Sequence, residues 1–513
     1  MRSLAPFALL ISSIGTAQPG VQLFWSGALT PTSVGIRARI GTATDSVRVA
    51  YCAEPCAGEP QYSDLAAADS LHDLVARMEL TGLLPGTGYM YRFEVNGILD
   101  TSALNSGSFR TPQEGPASFS FVVGSCNGFS MHPVWQAMRD LGPLFFLSTG
   151  DLHYRDPNST DIQVHYTPYR EDVLGWSPMK DLLHQAPIAY VWDDHDFSGN
   201  GSDGNSLGKY SAARAYRDYV PHYPLNDAVS VHQAFTIGRV HFILSDLRSS
   251  KSSASMMDFG QYTWLLQQFL HARDNGLIAA WVSPLTWNST GYPENWACQP
   301  DERTAINDFL YAQEVENLFI LSGDAHMLAI DDGANADFSS AQDLRYHYPI
   351  FQAAAISRNG SYKGGNFNQG GVFPNPNPWN GQFGEVKVQD DGQDVCITFN
   401  GYRTDSMSAS ITLIDQYTFC RSVGPVGIDG RSSGNSTGAK AMLEGSTIVI
   451  DWPLVDGPGT VEVHDALGRL LMDVEVRWGQ GRLRLALPQV ADGLLIAKMS
   501  AGWKRATLRL LKP

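Results

Sequence analysis

Four short segments carry most of the residues that could hold a cation or move a proton: Gly124-Ser125-Cys126-Asn127, Gly150-Asp151-Leu152-His153-Tyr154, Val191-Trp192-Asp193-Asp194-His195-Asp196 and Ser322-Gly323-Asp324-Ala325-His326. In the third, three acids surround one imidazole, and carboxylates so crowded repel one another and titrate upward unless a cation lies among them. Asp151 and Tyr154 can turn toward one ion from a single tight loop. A carboxylate can bridge two metals, and a phenolate suits a hard trivalent ion such as Fe3+. Asp324 and His326 alternate, which puts both on one side of an extended chain. A thiol at Cys126 completes a mixed donor set. Taken singly, Asp151 reads as a helix cap, Asp193 to Asp196 as a solvated loop and Cys126 as a small buried residue. Their shared context argues for more.

Each segment follows an apolar run: Phe119 to Val123, Leu144 to Leu147, Ile188 to Val191 and Leu318 to Leu321. Such runs are the pattern of strands buried on both faces, and open α/β sheets hold ligands at the carboxyl ends of their strands. From about Ala117 to Cys420 these strands alternate with helical patterns over His132 to Leu141, Ser211 to Val220, Tyr262 to Asn275 and Asp301 to Gln313, which predicts a layered α/β domain spanning 117–420. The Gly-, Asn- and Pro-rich stretch Asp331 to Gly384, with aromatics such as Tyr362 and Trp379, is expected to be a long binding loop.

At 513 residues the chain exceeds one ordinary core, so more than one domain is expected. A formal charge of −16 excludes a nucleic-acid-binding surface of the usual basic kind. Residues 1–17 carry one Arg, an apolar run and a small-residue end, and read as a secretory signal; the run is too short for a membrane span, and no later segment is long enough. Six cysteines then face an oxidising compartment, where Cys52 and Cys56 could pair across a short loop, and Cys396 and Cys420 across a strand pair; Cys298 has no evident partner. Residues 18–113 are short alternating strands, and the stretch Leu80 to Val95, with Tyr89 as corner tyrosine, resembles a fibronectin type III module in a spacer or docking role. Residues 421–440 are Gly- and Ser-rich and read as a linker. Residues 441–513 return to strands. Val461 to Leu471, Gly493 to Met499 and the basic tail Trp503 to Lys512 resemble the sorting domain of the type IX secretion system, which would make the protein secreted or cell-surface and the secretion machinery a partner.

The order of the four segments resembles the calcineurin-like binuclear metallophosphoesterases, and most closely the PhoD-type alkaline phosphatases and phosphodiesterases. The resemblance covers roughly residues 20 to 420 and implies a four-layer β-sandwich flanked by helices, with all-β sandwich domains at both ends. It assigns Cys126, Asp151, Tyr154 and His326 to one metal and Asp151, Asp194 and Asp324 to another. It implies a binuclear or trinuclear centre holding Fe3+ with Ca2+, or with Mn2+, Mg2+ or Zn2+. His195 and Asn127 would contact a phosphate-ester substrate; Asp193 and Asp196 would support the ligands, and Asp246 with Arg248 would form a structural ion pair nearby. The superfamily's fourth-strand histidine is missing, since Ala280 to Trp287 contains none.

The expected reaction is hydrolysis of a phosphate mono- or diester. Two cations about 3.5 to 4 Å apart would clamp the phosphoryl group and supply hydroxide, with Asp151 bridging them, Asp194 holding the harder one and His195 stabilising charge or protonating the leaving group. Two rivals remain at this level: a secreted calcium-binding adhesion protein, and an esterase using Ser125 as nucleophile.

Overall fold

The apolar runs form strands whose alternate side chains go to two different cores. In the strand Ile278–Ser283, Ile278, Ala280 and Val282 enter one cluster and Ala279 and Trp281 the other; in Leu318–Ser322, Phe319 and Leu321 part from Leu318 and Ile320 in the same way. A strand apolar on both sides must be covered on both sides, and a second sheet and a helical layer do this. These relations come from a computed structural model that describes residues 20–422 apart from 292–293, 342–345 and 406–407, and 440–444, 447–451, 457–465, 470–478, 482–487, 493–501 and 504–512.

Among the described residues, one sheet of nine strands runs in the order 411–422, 394–404, 382–390, 119–124, 146–148, 188–190, 21–27, 33–40 and 75–81. A second, of seven, runs 233–237, 240–244, 278–283, 318–322, 350–353, 327–331 and 369–374. The two face each other. Phe121 of the first lies 5.3 Å from Phe242 of the second, and Phe351 of the second stacks on Phe399 of the first at 4.7 Å. Helix Phe259–Asp274 covers the outer face of the second sheet, with Phe269 edge-on to Trp281 at 5.4 Å, and helix Val134–Asp140 covers the first through Trp135 on Phe146 at 5.4 Å. The four-layer α/β arrangement expected from the sequence is therefore present. The expected helices appear as Val134–Asp140, Lys209–Tyr219, Phe259–Asp274 and Pro300–Ala312, joined by Ile162–Pro168 and Met179–Leu183.

The strands of residues 20–110 enclose their own core of Phe24, Ile36, Tyr91 and Phe93, and the Leu84 N–H donates to Tyr89 Oη at 2.8 Å. They are also built into the larger sheet. Strand Val21–Gly27 pairs in parallel with Ile188–Tyr190 through Gly27 and Ile188, where a Cβ on Gly27 would come within 2.5 Å of the Ile188 carbonyl oxygen. Backbones approach that closely only at glycine. This segment thus packs beside the third of the four segments instead of standing off as a spacer.

The stretch 331–384 is not one loop: strands Ile350–Ala353 and Gln369–Pro374 pair into the second sheet, leaving 354–368 to cross its edge. Cys52 is bonded to Cys56 and Cys396 to Cys420. Residues 1–17 lie outside the described residues, as does most of 421–440. Residues 425–513 form a separate unit in which described strands make a three-stranded and a four-stranded sheet around Ile448, Ile450, Val461 and Val463. Among the described residues no helix is long and apolar enough to cross a membrane.

Candidate metal centre

The strands 119–124, 146–148 and 188–190 are neighbours running in parallel, so their carboxyl ends lie on one rim, and 318–322 of the second sheet runs parallel to 278–283. At three of the four strand ends the chain turns through left-handed backbone: Cys126 at φ +62°, Asp151 at +52° and Asp324 at +60°. Non-glycine residues are rarely held there outside functional sites.

These turns bring Cys126, Asp151 and His326 together, their ligating atoms all within 4.8 Å of one another. Cys126 Sγ lies 3.6 Å from Asp151 Oδ2, and Tyr154 Oη lies 2.9 Å from the same oxygen and 3.3 Å from His326 Nε2. Four potential donors from three strand ends are thus brought near one another. The His326 Nδ1 is turned to the Asn359 carbonyl at 2.5 Å, which leaves Nε2 for the centre. Asp151, Asp194 and His195 form a second group within 4.8 Å, so Asp151 belongs to both.

Burial without a cation sets these groups against their charged forms. Burial first, and then Asp194 and Asp193, push the Asp151 carboxyl well above the usual carboxylate range; burial and Asp151 push the Cys126 thiol and the Tyr154 phenol up. Burial likewise carries Asp193 to about 8 against the pull of Arg248, and Asp196 to about 7 despite backbone N–H donors. Asp194 goes the other way: burial is outweighed by Arg248 and His195, and it falls to about 2. A thiol, a phenol and a carboxyl that share one buried point and all resist ionisation fit metal ions, which would stabilise the charged form of each.

Asp324 is held differently from the expectation. Its Oδ1 accepts from Lys363 Nζ at 2.5 Å, while its Oδ2 is buried with no hydrogen-bond partner and remains open to a cation. Asn127, expected at the substrate, spends its amide on the loop: Nδ2 donates to the Leu152 carbonyl at 3.1 Å and to Ser130 Oγ at 3.2 Å, and Oδ1 accepts from Ser357 Oγ at 3.1 Å. Asp193 and Asp196 close a capping box on the short helix Asp194–Phe197, and Asp196 Oδ1 also accepts from the His153 N–H at 3.1 Å. The Asp246–Arg248 ion pair expected from sequence is not formed. Asp246 accepts the backbone N–H groups of Val231, Arg248 and Ser249, each at 3.0 Å, while the fully buried Arg248 Nε donates to Asp193 Oδ1 at 2.5 Å and its Nη2 lies 3.7 Å from Asp194. The carboxylate two residues away is already satisfied by the turn, so the guanidinium goes to the acids of another strand end.

The fourth-strand segment that lacks histidine braces the last turn instead. Thr286 Oγ1 donates to Gln352 Oε1 at 3.2 Å, and Gln352 Nε2 donates to the Ala325 carbonyl at 3.0 Å and to that of Gly323.

Sequence reasoning missed Asp156, Lys363 and Arg358. Asp156 Oδ1 lies 2.6 Å from His195 Nδ1, and the His195 ring rests 4.0 Å from that of Tyr154. Arg358 lies over the Tyr154 ring at 4.0 Å. Asp156 lies two residues past the second segment and could have been suspected; Lys363 and Arg358 sit in a Gly/Asn-rich stretch whose spacing carries no signal. Because a carboxylate on Nδ1 presents Nε2 outward in a fixed tautomer, His195→Gln should lower kcat by about 10²-fold and Asp156→Asn by roughly 10-fold, with KM little changed in the latter. Steady-state kinetics check both, and equal losses in the two variants would show that Asp156 does more than orient the ring.

A family profile of PhoD-like phosphatases matches residues 121–368, which include every candidate ligand. A solved structure of PhoD superposes at a TM-score of 0.63 with 15% identity, covering 80% of this chain and 93% of that one. The chain carries a PhoD-like phosphatase domain and is a phosphoric ester hydrolase. A dimetal phosphatase from Danio rerio is similar at a TM-score of 0.34, with 10% identity over 58% of this chain and 98% of that one. No curated protein matches the sequence. In the PhoD-like domain, Ser125 is 1% exposed and its Oγ lies 3.3 Å from Cys126 Sγ, so a substrate cannot reach it as the esterase alternative requires.

Proposed function

We propose that the chain is an exported, metal-dependent phosphoesterase that uses water, not a side chain, as nucleophile. The observation that carries this reading is the shared position of Asp151 in two ligand groups, Cys126–Asp151–His326 with Tyr154 alongside, and Asp151–Asp194–His195. Cys126, Asp151, Tyr154 and His326 would hold Fe3+, and Asp151 and Asp194, with the open Asp324 Oδ2, a harder divalent ion such as Ca2+. Bound there, the two cations supply charge opposite the phosphoryl oxygens and an activated water. The protein's own groups do the rest. Arg358 lies at the mouth beside Tyr154, where a guanidinium can take a phosphate oxygen. His195, held at Nδ1 by Asp156, presents Nε2 toward the site, where it can relay a proton to the leaving alkoxide. Asp193 and Arg248 hold the third strand end rigid from behind.

Export rests on residues 1–17 and 441–513, which we read as a secretory signal and a type IX sorting domain; the all-β character of the second unit supports the latter. The calcium-binding adhesion alternative is separated by one experiment. Purified protein is analysed for metals and assayed on a phosphomonoester and a phosphodiester before and after chelation. We expect iron together with a divalent metal, and loss of hydrolysis on chelation that is restored by adding metal back. Metal-replete protein that releases no phosphate from either ester would overturn the reading.

A further inference from the structure

Two large aromatic side chains stand exposed beside the metal centre, Phe129 at 38% and Trp379 at 49%. Their rings meet edge to face at 5.9 Å. They wall a cleft of about 380 Å³ whose other lining residues are Gly128, Ser357, Pro378, His326, Arg358 and Asn359. A substrate group attached to a phosphate at the metal centre can therefore enter this cleft directly, because His326 belongs to both.

The walls are fixed in advance. The Trp379 N–H donates to Asn377 Oδ1 at 2.9 Å and its carbonyl lies 2.7 Å from His132 Nε2; the Phe129 N–H donates to Ser357 Oγ at 2.9 Å. Preformed aromatic walls favour a flat occupant, which loses little freedom on entering and stacks by its face. Part of the lining is polar: among the described residues neither the Asn359 side-chain amide nor the Arg358 guanidinium makes a hydrogen bond, and Arg358 lies over the Tyr154 ring. Unpaired amide and guanidinium donors suit a ring with acceptors on its edge and penalise an acyl chain, which would strip them of water and give nothing back.

We infer that this cleft is a specificity site for the heteroaromatic base of a nucleotide, lying with its face against the edge-to-face pair Phe129 and Trp379 and its edge on Asn359, while the ester phosphate lies at the metal centre. The inference rests on the phosphoesterase reading and narrows its substrate class. The strongly negative chain disfavours long polyanions, so the inference is confined to a mononucleotide or its simple ester.

The test compares pairs that differ only in the base: AMP against ribose 5-phosphate, and the methyl phosphate esters of each. Leaving groups match within each pair, so a ratio of kcat/KM isolates the cleft. The wild type is expected to favour the base-bearing member by about 10-fold or more, the scale of one stacked base. Trp379→Ala, Phe129→Ala and Asn359→Ala should each bring the ratio toward one, mainly through KM. A misfolded variant lowers both members alike and leaves the ratio unchanged, and Trp379→Phe should restore most of the preference. A wild-type ratio near one, or a ratio that survives both aromatic truncations with turnover intact, overturns the inference alone. If none of the four compounds is hydrolysed while simple aryl phosphates are, the cleft assignment also falls; if no phosphate ester is hydrolysed at all, the phosphoesterase reading itself fails.

Discussion

Asp151→Asn is expected to lower phosphate-ester hydrolysis by at least about 10³-fold, the loss of several kcal/mol of metal-supplied charge stabilisation, and to leave the fold intact. Asp151 is the one carboxylate common to both ligand groups, so an amide there weakens both cation positions at once. The backbone should tolerate the exchange. Asn has the same shape and accepts left-handed conformations better than most residues, and Asp151 sits at φ +52°. In metal-free protein the variant should even be slightly more stable, because it removes a buried acid that is pushed up by burial and by Asp194 and Asp193. The discriminating measurement is thermal unfolding with and without chelator. Wild type should lose stability on chelation because bound metal favours the folded state; the variant should show little difference. Turnover close to wild type in metal-supplemented Asp151→Asn protein would refute the shared role of this residue.

The second large effect is on stability. Arg248→Met should destabilise the domain by about 3 to 5 kcal/mol, the usual consequence of removing one partner of a buried ion pair. Arg248 is fully buried, its Nε donates to Asp193 Oδ1 at 2.5 Å, and Asp194 lies 3.7 Å from its Nη2. Asp193 Oδ2 already lacks a hydrogen-bond partner, and burial pushes its carboxyl up against the pull of Arg248, which favours the charged form. Without the guanidinium that acid must go neutral, and the third strand end loses its anchor. The double variant Asp193→Asn, Arg248→Met should recover much of the lost stability in urea unfolding, because no charge is then stranded. Equal destabilisation in the single and double variants would show that Arg248 contributes through packing alone.

These two cases also show where local sequence stops being informative. The donors at Cys126, Asp151, Tyr154 and His326 were legible because each follows an apolar run, and a buried strand is a local pattern. The partner of Arg248 was not. Asp246, two residues away, is the natural choice from sequence, yet its oxygens are used by the N–H groups of Val231, Arg248 and Ser249, and the guanidinium reaches Asp193, fifty-five residues back. Asn127 is a similar case: its place beside Cys126 suggested substrate contact, and the structure shows its amide bonded to Leu152, Ser130 and Ser357. Lys363 on Asp324 and Asp156 on His195 come from loops whose composition predicts a turn but not its destination.

The fold divides along the same line. Helices at Val134–Asp140, Lys209–Tyr219, Phe259–Asp274 and Pro300–Ala312 follow from periodicity within a few residues. That strand Val21–Gly27 would join the sheet beside Ile188–Tyr190 does not, since it depends on Gly27 meeting a carbonyl far along the chain. By itself, then, the sequence determined which donor atoms exist and that they sit at the carboxyl ends of buried strands, because hydrophobic period and turn chemistry act over a few residues. Only the tertiary structure decided which donors share an ion, which acids are already spoken for and which aromatics wall the entrance, because those outcomes depend on strand order and loop paths that no local pattern encodes.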